Sequence, residues 1–479
     1  MQPVDGPARQ QPRSIGDLAI VLHSHMPYVE GFGTYPFGEE WLFDAVARSH
    51  LPVLEVADRL TMTVTPVLAD QLEAGGVGER MLEFLRRHRL GAAERDATEA
   101  EPELRQAAEA EAHHYRIAIE RLQSLGGEAL GAFSRAQEEG RVALMASAAT
   151  HAVLPKLATL AGRRLQVDAG LRSHRRRFGP TKGFWLPECA YVPGLESILS
   201  ERGIAYTCLD QSAREPEQAA LTPMGLGGGT IAFTIDWPAV ELVWSLQGYP
   251  AAPAYLEYHR LSANGTRLWS ISGDPYDPGA AASRAGEDAR SFLRAVHERL
   301  AEHRERTGRA GLCVFAVDTE LLGHWWAEGP AWLAAVVRGA GEEGIRLLTL
   351  PEALSEHEPV ERPAYEGSWG EGKTLETWDS PSVADLVWAA RRLELRLVCQ
   401  LSSGQADGAN ARRAARELLA VQSSDWAFMD RRGRAGDYPY RRAITHAEAL
   451  LQALDSQQAT EPRLRNLAPD LVLAPLLEP

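Results

Sequence analysis

The sequence predicts an α/β fold in which parallel strands and helices form a barrel. Short apolar, often β-branched runs alternate with stretches of helical period, which implies a parallel sheet. Polar and aromatic residues collect directly after these runs, where a barrel of this type places its functional site. Two long helical stretches interrupt the alternation and predict additional helical parts.

Seven short runs are the candidate strands. Helical period recurs between most of them, for example over residues 194–202 and 287–307. The glycines at 225–229 lack the lysine and hydroxyl residue of a phosphate loop, so we interpret them as a flexible turn. The candidate strands cover residues 18–22, 61–65, 142–146, 184–185, 204–207, 312–317 and 346–350.

The two helical stretches define the predicted domain organisation. Residues 79–141 are highly charged and nearly all of helical pattern, which predicts a helical insertion within a catalytic barrel at 15–381. From residue 382 to 460 the chain is rich in Ala, Leu and Arg, and we predict a C-terminal helical domain there. Its helices are expected at residues 383–401, 410–422 and 440–454.

Composition narrows the class of partner. The 479 residues carry a net charge of −15, which argues against nucleic acid or an anionic membrane and suits a neutral substrate. Residues 1–14 lack the apolar core of a signal peptide, and apolar runs stay shorter than a membrane span. The four cysteines are scattered without metal-binding spacing. We therefore predict a cytoplasmic protein with reduced thiols.

Two segments, residues 183–191 and 317–326, each place one carboxyl group among aromatic side chains at the end of a predicted strand. Cleavage of a glycosidic bond needs two carboxyl groups on either side of it, and indole rings pack on sugar faces. Glu188 and Asp318 are therefore the candidate pair. The plainer alternatives are a surface glutamate at a helix start and an aspartate that caps a helix.

Histidines and tryptophans supply the other candidates for a carbohydrate site. His23, His25 and His151 follow predicted strands, where hydrogen bonds to sugar hydroxyls are favoured. A metal pair at His23 and His25 is the alternative, but a third ligand motif is lacking, so we predict no metal. Several of the 12 tryptophans stand in loops with Gly, Ser and Asp, which favours a sugar-binding cleft.

Several ordered blocks carry a resemblance to a known family. Residues 184–191 read Phe-Trp-Leu-Pro-Glu-Cys-Ala-Tyr, and residues 318–326 read Asp-Thr-Glu-Leu-Leu-Gly-His-Trp-Trp. With the other blocks, the chain resembles glycoside hydrolase family 57, in its 1,4-α-glucan branching enzyme branch, over roughly residues 15 to 455. The other blocks are residues 23–29, 39–43, 149–151, 243–245 with 248–250, and 422–426.

The resemblance implies a distorted (β/α)7 barrel with an inserted helical subdomain and a C-terminal all-helical domain. It implies a retaining mechanism without metal or cofactor, with Glu188 as nucleophile and Asp318 as acid and base. The implied partner is an α-1,4-glucan, and the expected state is a monomer or small homo-oligomer. The implied substrate contacts are His23, His25 and His151 at the cleavage point, and Tyr35, Trp244, Trp325, Trp369, Trp378 and Asp425 along the cleft.

One segment departs from the branching enzymes that the chain resembles. Those enzymes carry a long mobile loop with a tyrosine over the site, whereas residues 209–224 are short here and contain no tyrosine. The resemblance therefore implies a branching enzyme, with an α-amylase as the alternative if water replaces the sugar acceptor. A metal-dependent hydrolase and a non-catalytic glucan-binding protein are the further alternatives.

Overall fold

The structure is a computed structural model that describes residues 14–34, 37–405, 408–433, 435–455 and 466–478. Its described part contains ten strands and a larger number of helices. The strands are β1 Gly16–Ser24, β2 Leu60–Val64, β3 Val142–Ser147, β4 Phe184–Trp185, β5 Tyr206–Leu209, β6 Met224–Gly227, β7 Thr230–Thr234, β8 Leu312–Asp318, β9 Ile345–Leu347 and β10 Val360–Glu361.

Seven of these strands form the distorted barrel that was expected. Strands β4, β3, β2, β1 and β8 pair in that order, all parallel, and β5 pairs in parallel with β7. A parallel bridge between Gly183 and Tyr206 joins β4 to β5, and Asp236 N donates to Val314 O (2.9 Å) to join the end of β7 to β8. The predicted fold class is confirmed.

Three strands lie outside this ring. Strand β9 pairs with the first residues of β1, while β6 runs antiparallel to β7 and pairs with β10. The turn predicted at 225–229 is the hairpin between β6 and β7, although its first three residues belong to β6. Gly227, Gly228 and Gly229 all have positive φ, a backbone region that glycine enters without a Cβ clash.

The barrel strands are buried on both faces, as parallel strands covered by helices are. All nine residues of β1 are buried, and so are all five of β2. Their apolar side chains pack in the main core with residues of β8 such as Phe315. This packing fixes the strands and so determines where the residues beyond their carboxyl ends lie.

The helices fall into the groups that the sequence predicts. Helices α4 to α7, with a π-helical segment at Leu85–Leu90, occupy the region between β2 and β3, and α14 to α17 form the C-terminal part. The helices are α1 Glu39–Ala45, α2 Leu51–Val56, α3 Pro66–Leu72, α4 Val77–Phe84, α5 Gly91–Glu99, α6 Arg105–Ser124, α7 Leu130–Glu138, α8 Leu160–Phe178, α9 Leu195–Glu201, α10 Trp237–Trp244, α11 Pro278–Thr307, α12 Gly329–Gly339, α13 Leu350–Glu356, α14 Ala384–Ser402, α15 Gly408–Val421, α16 Ser424–Arg432 and α17 Tyr438–Asp455.

Two helices differ from the sequence-based expectation. Helix α11 begins nine residues before the predicted start, because Asp277 caps it by accepting from the N–H groups of Gly279 and Ala280, with Pro278 in the first turn. Helix α16 was not predicted, since residues 423–426 resemble a loop. The domain boundaries at 79–141 and 382 stay predictions. Within the described residues, no helix combines the length and apolar character that a membrane crossing needs.

The junction between β4 and β5 generates a stability prediction. A Cβ added at Gly183 would lie 2.4 Å from the ring of buried Tyr206, so Gly183→Ala must displace that ring. We expect a loss of about 1–3 kcal/mol in the free energy of unfolding, measured with urea, because overpacking strains a closed core. Gly131→Ala, in α7 with open space around it, is the control and should be neutral or slightly stabilising. An equal loss in both variants would contradict the role of the junction.

Candidate active site

The carboxyl ends of four strands of the parallel sheet bring the predicted site residues together. Strand β8 ends at Asp318, which lies in register with His23 of β1. Residue His151 follows β3, and Glu188 follows β4, which pairs with β3. Because parallel strands end at the same rim of a barrel, these side chains meet there, as the sequence predicts.

Glu188 sits on a strained turn directly after β4. Its φ is 60° and that of Cys189 is 49°, so two consecutive non-glycine residues adopt the left-handed conformation. Such a conformation costs of order 1–3 kcal/mol and persists where the surroundings enforce it. The backbone N–H of Trp369 donates to the carbonyl of Glu188 (3.0 Å), which holds the turn from the opposite side.

Two donors hold the carboxylate of Glu188. The indole Nε1 of Trp369 donates to Oε2 (2.9 Å), and the hydroxyl of Ser424 donates to Oε1 (3.0 Å). His151 Nδ1 lies 3.6 Å from Oε1. Burial raises the pKa of Glu188 to about 6, while the Trp369 bond and the charge of His25 oppose the rise. At neutral pH this carboxyl group is therefore ionised.

Asp318 occupies a different electrostatic environment. Burial raises its pKa well above the usual value, and the negative charges of Glu320 and Glu188 raise it further. His25 opposes this shift. The surroundings therefore favour the protonated acid at Asp318 and the carboxylate at Glu188.

The three predicted histidines form one cluster. The Nε2 atoms of His23 and His151 are 2.9 Å apart, and the rings of His25 and His151 stack with centroids at 4.1 Å. Burial lowers the pKa of His23 and of His151 well below 6.5, so both are neutral. Burial also acts against charge on His25, but Asp425, 3.0 Å away, raises its pKa overall. Of the three histidines, His25 is therefore the one whose surroundings favour the protonated form.

Two functional neighbours escaped prediction from the sequence. Ser424 bridges the site, because its hydroxyl lies 2.9 Å from His151 Nδ1 as well as bonding Glu188. The carboxylate of Glu320 accepts from the backbone N–H of His25 (3.1 Å) and contacts His50 Nε2 (2.7 Å). Ser424 directly precedes Asp425, and Glu320 lies two residues after Asp318. This closeness in sequence to predicted site residues was the signal that could have indicated them.

The tryptophans of the predicted cleft differ in exposure. Trp369 touches the carboxylate directly, whereas Trp378 is 2% exposed and packs beneath the Trp369 loop, where a Cβ on Gly370 would be 2.9 Å from its ring. Trp378 therefore supports the loop from below. Trp244 and Trp325 each expose about half of their surface, at 50% and 52%.

Trp325 has an aromatic neighbour that the sequence did not indicate. Its ring centroid is 4.7 Å from that of Tyr258, and the guanidinium of Arg267 lies over the Tyr258 ring at 4.1 Å. This stack braces the exposed indole of Trp325. Tyr35, the remaining predicted contact, lies outside the described residues.

The alternative in which His23 and His25 bind a metal ion can be compared with the hydrogen bonds that their rings make. Nδ1 of His23 pairs with Thr63 (2.5 Å) and Nδ1 of His25 with Thr65 (3.1 Å). Within the part of the chain that the structure describes, no three His, Cys, Asp or Glu side chains are arranged to hold a metal ion.

A barrel with an ionised and a protonated carboxyl group at the carboxyl ends of its strands has the site architecture of a glycoside hydrolase. Comparison with known proteins agrees. Residues 19–365 match the family described as glycosyl hydrolase family 57, and residues 390–470 match the C-terminal region of 1,4-alpha-glucan branching enzymes.

Individual relatives extend over nearly the whole chain. A 1,4-alpha-glucan branching enzyme of Thermococcus kodakarensis is 32% identical, covering 90% of this chain and 72% of its own. A probable 1,4-alpha-glucan branching enzyme of Mycobacterium tuberculosis is also 32% identical and covers 91% of each chain. The crystal structure of a branching enzyme from Pyrococcus horikoshii matches with a TM-score of 0.90 at 30% identity, over 96% of this chain and 97% of that one. The chain belongs to glycosyl hydrolase family 57, and the predicted family is confirmed.

The raised pKa of Glu188 yields a prediction about stability. Because its pKa rises from 4.5 to about 6 on folding, the contribution of Glu188 to the free energy of unfolding is fully present below pH 4.5 and is lost as the pH rises through 6. The loss amounts to about 2 kcal/mol. Glu188→Gln removes the buried charge and should therefore exceed the wild type in unfolding free energy at pH 8 by up to this amount, and match it at pH 4.

Urea unfolding at the two pH values measures this difference. Glu83→Gln, which removes an exposed carboxylate from α4, is the matched control and should follow the wild type at both. If the Glu188→Gln variant gained nothing between pH 4 and pH 8, Glu188 would not carry a buried charge.

Proposed function

We propose that this protein is a retaining α-glucan-active enzyme that works as a 1,4-α-glucan branching enzyme. It would cleave α-1,4 links and form α-1,6 branches. The observation that carries the proposal is the pair of buried carboxyl groups, Glu188 and Asp318, whose surroundings separate their protonation states. The branching enzymes among its relatives support the choice of substrate and reaction.

In the first step, the carboxylate of Glu188 attacks the anomeric carbon of an α-1,4-linked glucose. The bond to the leaving oxygen breaks while Asp318 gives that oxygen its proton, so the released chain ends in a 4-hydroxyl group. The donor half of the glucan stays on Glu188 as a covalent ester. The hydrogen bonds from Trp369 and Ser424 keep the nucleophile ionised and oriented.

In the second step, Asp318, now a carboxylate, removes the proton from an acceptor hydroxyl. The acceptor oxygen attacks the anomeric carbon and the bond to Glu188 breaks, which restores both carboxyl groups. If the acceptor is the 6-hydroxyl of a glucan, the product is an α-1,6 branch. If it is water, the product is a shortened chain with a new reducing end.

The surrounding side chains are proposed to hold the substrate. Neutral imidazoles of His23 and His151 can donate and accept hydrogen bonds with sugar hydroxyls, and His25 holds Asp425 at the site through a 3.0 Å contact. The exposed indoles can pack on sugar faces. The proposed substrate contacts are His23, His25, Tyr35, His151, Trp244, Trp325, Trp369 and Asp425, whereas the buried Trp378, which the resemblance implied as a contact, supports the Trp369 loop instead.

The proposal also assigns roles to the parts of the chain. Residues 15–381 form the catalytic barrel, residues 79–141 its helical insertion, and residues 382–460 the C-terminal domain, which contributes Ser424 and Asp425. The reaction as proposed uses no metal or cofactor. We propose a monomer or small homo-oligomer that acts on glucan in the cytoplasm.

The balance between transfer and hydrolysis is the test of the proposed reaction. We expect amylose to gain α-1,6 links, with a larger share of hydrolysis than long-loop relatives show, since the short segment at 209–224 excludes less water. Reducing ends counted before and after debranching with isoamylase give the ratio of new branches to new ends. Glu188→Gln is the inactive control. New ends without any branches would replace the proposal by an α-amylase.

The two carboxyl roles can be separated with a substrate whose leaving group needs no acid. Asp318→Asn should turn over amylose about 10²- to 10⁴-fold more slowly, the usual contribution of a general acid and base. With an α-maltosyl fluoride it should still form the ester, which then accumulates because no base activates the acceptor. Mass spectrometry of the quenched protein should find the sugar on Glu188, and on no residue of the Glu188→Gln, Asp318→Asn double variant. A sugar on any other residue would refute the pairing.

A further inference from the structure

The loop that carries Trp369 is fastened to residues that directly follow strand β5. The side-chain amide of Gln211 donates to the carbonyl of Tyr365 (3.0 Å), and the N–H of Tyr365 donates back to Oε1 of Gln211 (2.8 Å). On its other flank, Gly367 exchanges both backbone hydrogen bonds with Tyr191, three residues after Glu188. The segment after β5 thus anchors a neighbouring loop.

An ion pair attaches the far end of the same loop to the residue that directly follows β5. Lys373 Nζ lies 2.7 Å from Oδ2 of Asp210, and the side chains are 16% and 0% exposed. The other oxygen of Asp210 accepts from the N–H (2.9 Å) and hydroxyl (2.6 Å) of Ser212, and the lysine also lies over the ring of Trp237. Because both charges are largely shielded from solvent, removing either partner would leave the other as an uncompensated buried charge.

Lys373 closes a turn that begins at the residue after Trp369. Its N–H donates to the carbonyl of Gly370 (3.0 Å), and its carbonyl accepts from the N–H of Ser368 (3.2 Å). Gly372 and Lys373 both have positive φ, at 67° and 59°. A lysine is strained in this conformation, so the turn depends on contacts that compensate for the strain.

We propose that Lys373 and Asp210 are positioning residues, whose ion pair holds the turn so that the indole N–H of Trp369 stays on Oε2 of Glu188. The inference rests on the proposed function, since it assigns a task to the nucleophile. Neither residue touches the reacting atoms. The connection runs from Asp210 through Lys373 and the turn at 370–373 to Trp369, and from there to the carboxylate.

The hydrogen bond from Trp369 favours the ionised form of Glu188. If the indole moves away, the pKa of Glu188 rises, and a smaller fraction of the enzyme carries the nucleophile at a given acidic pH. The low-pH side of the pH profile of kcat/KM, here called the acidic limb, follows the pKa of Glu188 and therefore reports the position of Trp369. The titratable groups that face Glu188 are His25, His151, Asp318 and Asp425, and those that face Lys373 are Asp210, Cys189 and Glu241.

The test compares Lys373→Met, Trp369→Phe and their double variant on amylose, with turnover counted as new branches plus new reducing ends. We expect each single variant to shift the acidic limb of the kcat/KM profile to higher pH, by roughly half to one pH unit. On that limb, this corresponds to a loss of about three- to tenfold in kcat/KM at fixed pH. The double variant should move no further than Trp369→Phe alone, because the lysine acts through the indole.

Two controls separate this role from simple loss of charge or of stability. Lys156→Met removes another lysine ion pair, with Asp379 (2.6 Å), and should leave the limb unmoved. Asp210→Asn should reproduce Lys373→Met, and it takes the place of that variant if the lysine variant does not fold.

Two results would overturn the inference. The first is an unmoved limb in a folded Lys373→Met or Asp210→Asn protein. The second is a double variant that shifts further than Trp369→Phe, which would mean that the lysine acts by its own charge. Failure of the proposed function is distinct from both, because the wild type would then either leave amylose unchanged or make new reducing ends without branches, and neither result is a shift of the limb between variants.

Discussion

The site depends on holding one of two buried carboxyl groups as an anion while its neighbour keeps a proton. Burial by itself raises the pKa of both Glu188 and Asp318, so it cannot distinguish them. Their hydrogen-bond donors and charged neighbours make the difference. Glu188 receives an indole N–H and a hydroxyl from residues 181 and 236 positions away, while Asp318 faces the negative charge of Glu320. The barrel, the loop at 365–375 and the C-terminal helices must therefore all be in place for the two carboxyl groups to differ.

Backbone strain accompanies this arrangement. Left-handed φ values occur at Glu188 and Cys189, at His151 and at Lys373, each within or directly beside the site. Hydrogen bonds from other segments compensate at two of these places: Trp369 N–H donates to the Glu188 carbonyl, and Ser424 N–H donates to the carbonyl of His151 (3.3 Å). The strain is thus located where turns present side chains to the rim, and it is stabilised by the same segments that supply the donors.

The sequence predicted the elements whose signal is local. Six of its seven candidate strands belong to the barrel, and the seventh, at 346–350, became β9 beside the ring. Strand β7 was missed because it is short and directly follows the glycines of its hairpin. Glu188 and Asp318 could be named because each ends a strand among aromatic residues. Ser424 could not, since its approach to Glu188 depends on how α15 and α16 pack, and a serine in a polar segment has no distinctive pattern. The rest of the site needed tertiary structure.

The contribution of α16 has a consequence for how the protein is made. A ribosome completes every barrel strand and both carboxyl groups before it adds Ser424 and Asp425. A nascent chain that ends before residue 424 therefore lacks the hydroxyl that donates to Oε1 of Glu188 and the carboxylate that pairs with the ring of His25. Chains cut short during translation before this point would carry the Glu188 carboxyl group in an unfinished setting. Completion of the site is in this way tied to synthesis of nearly the full polypeptide.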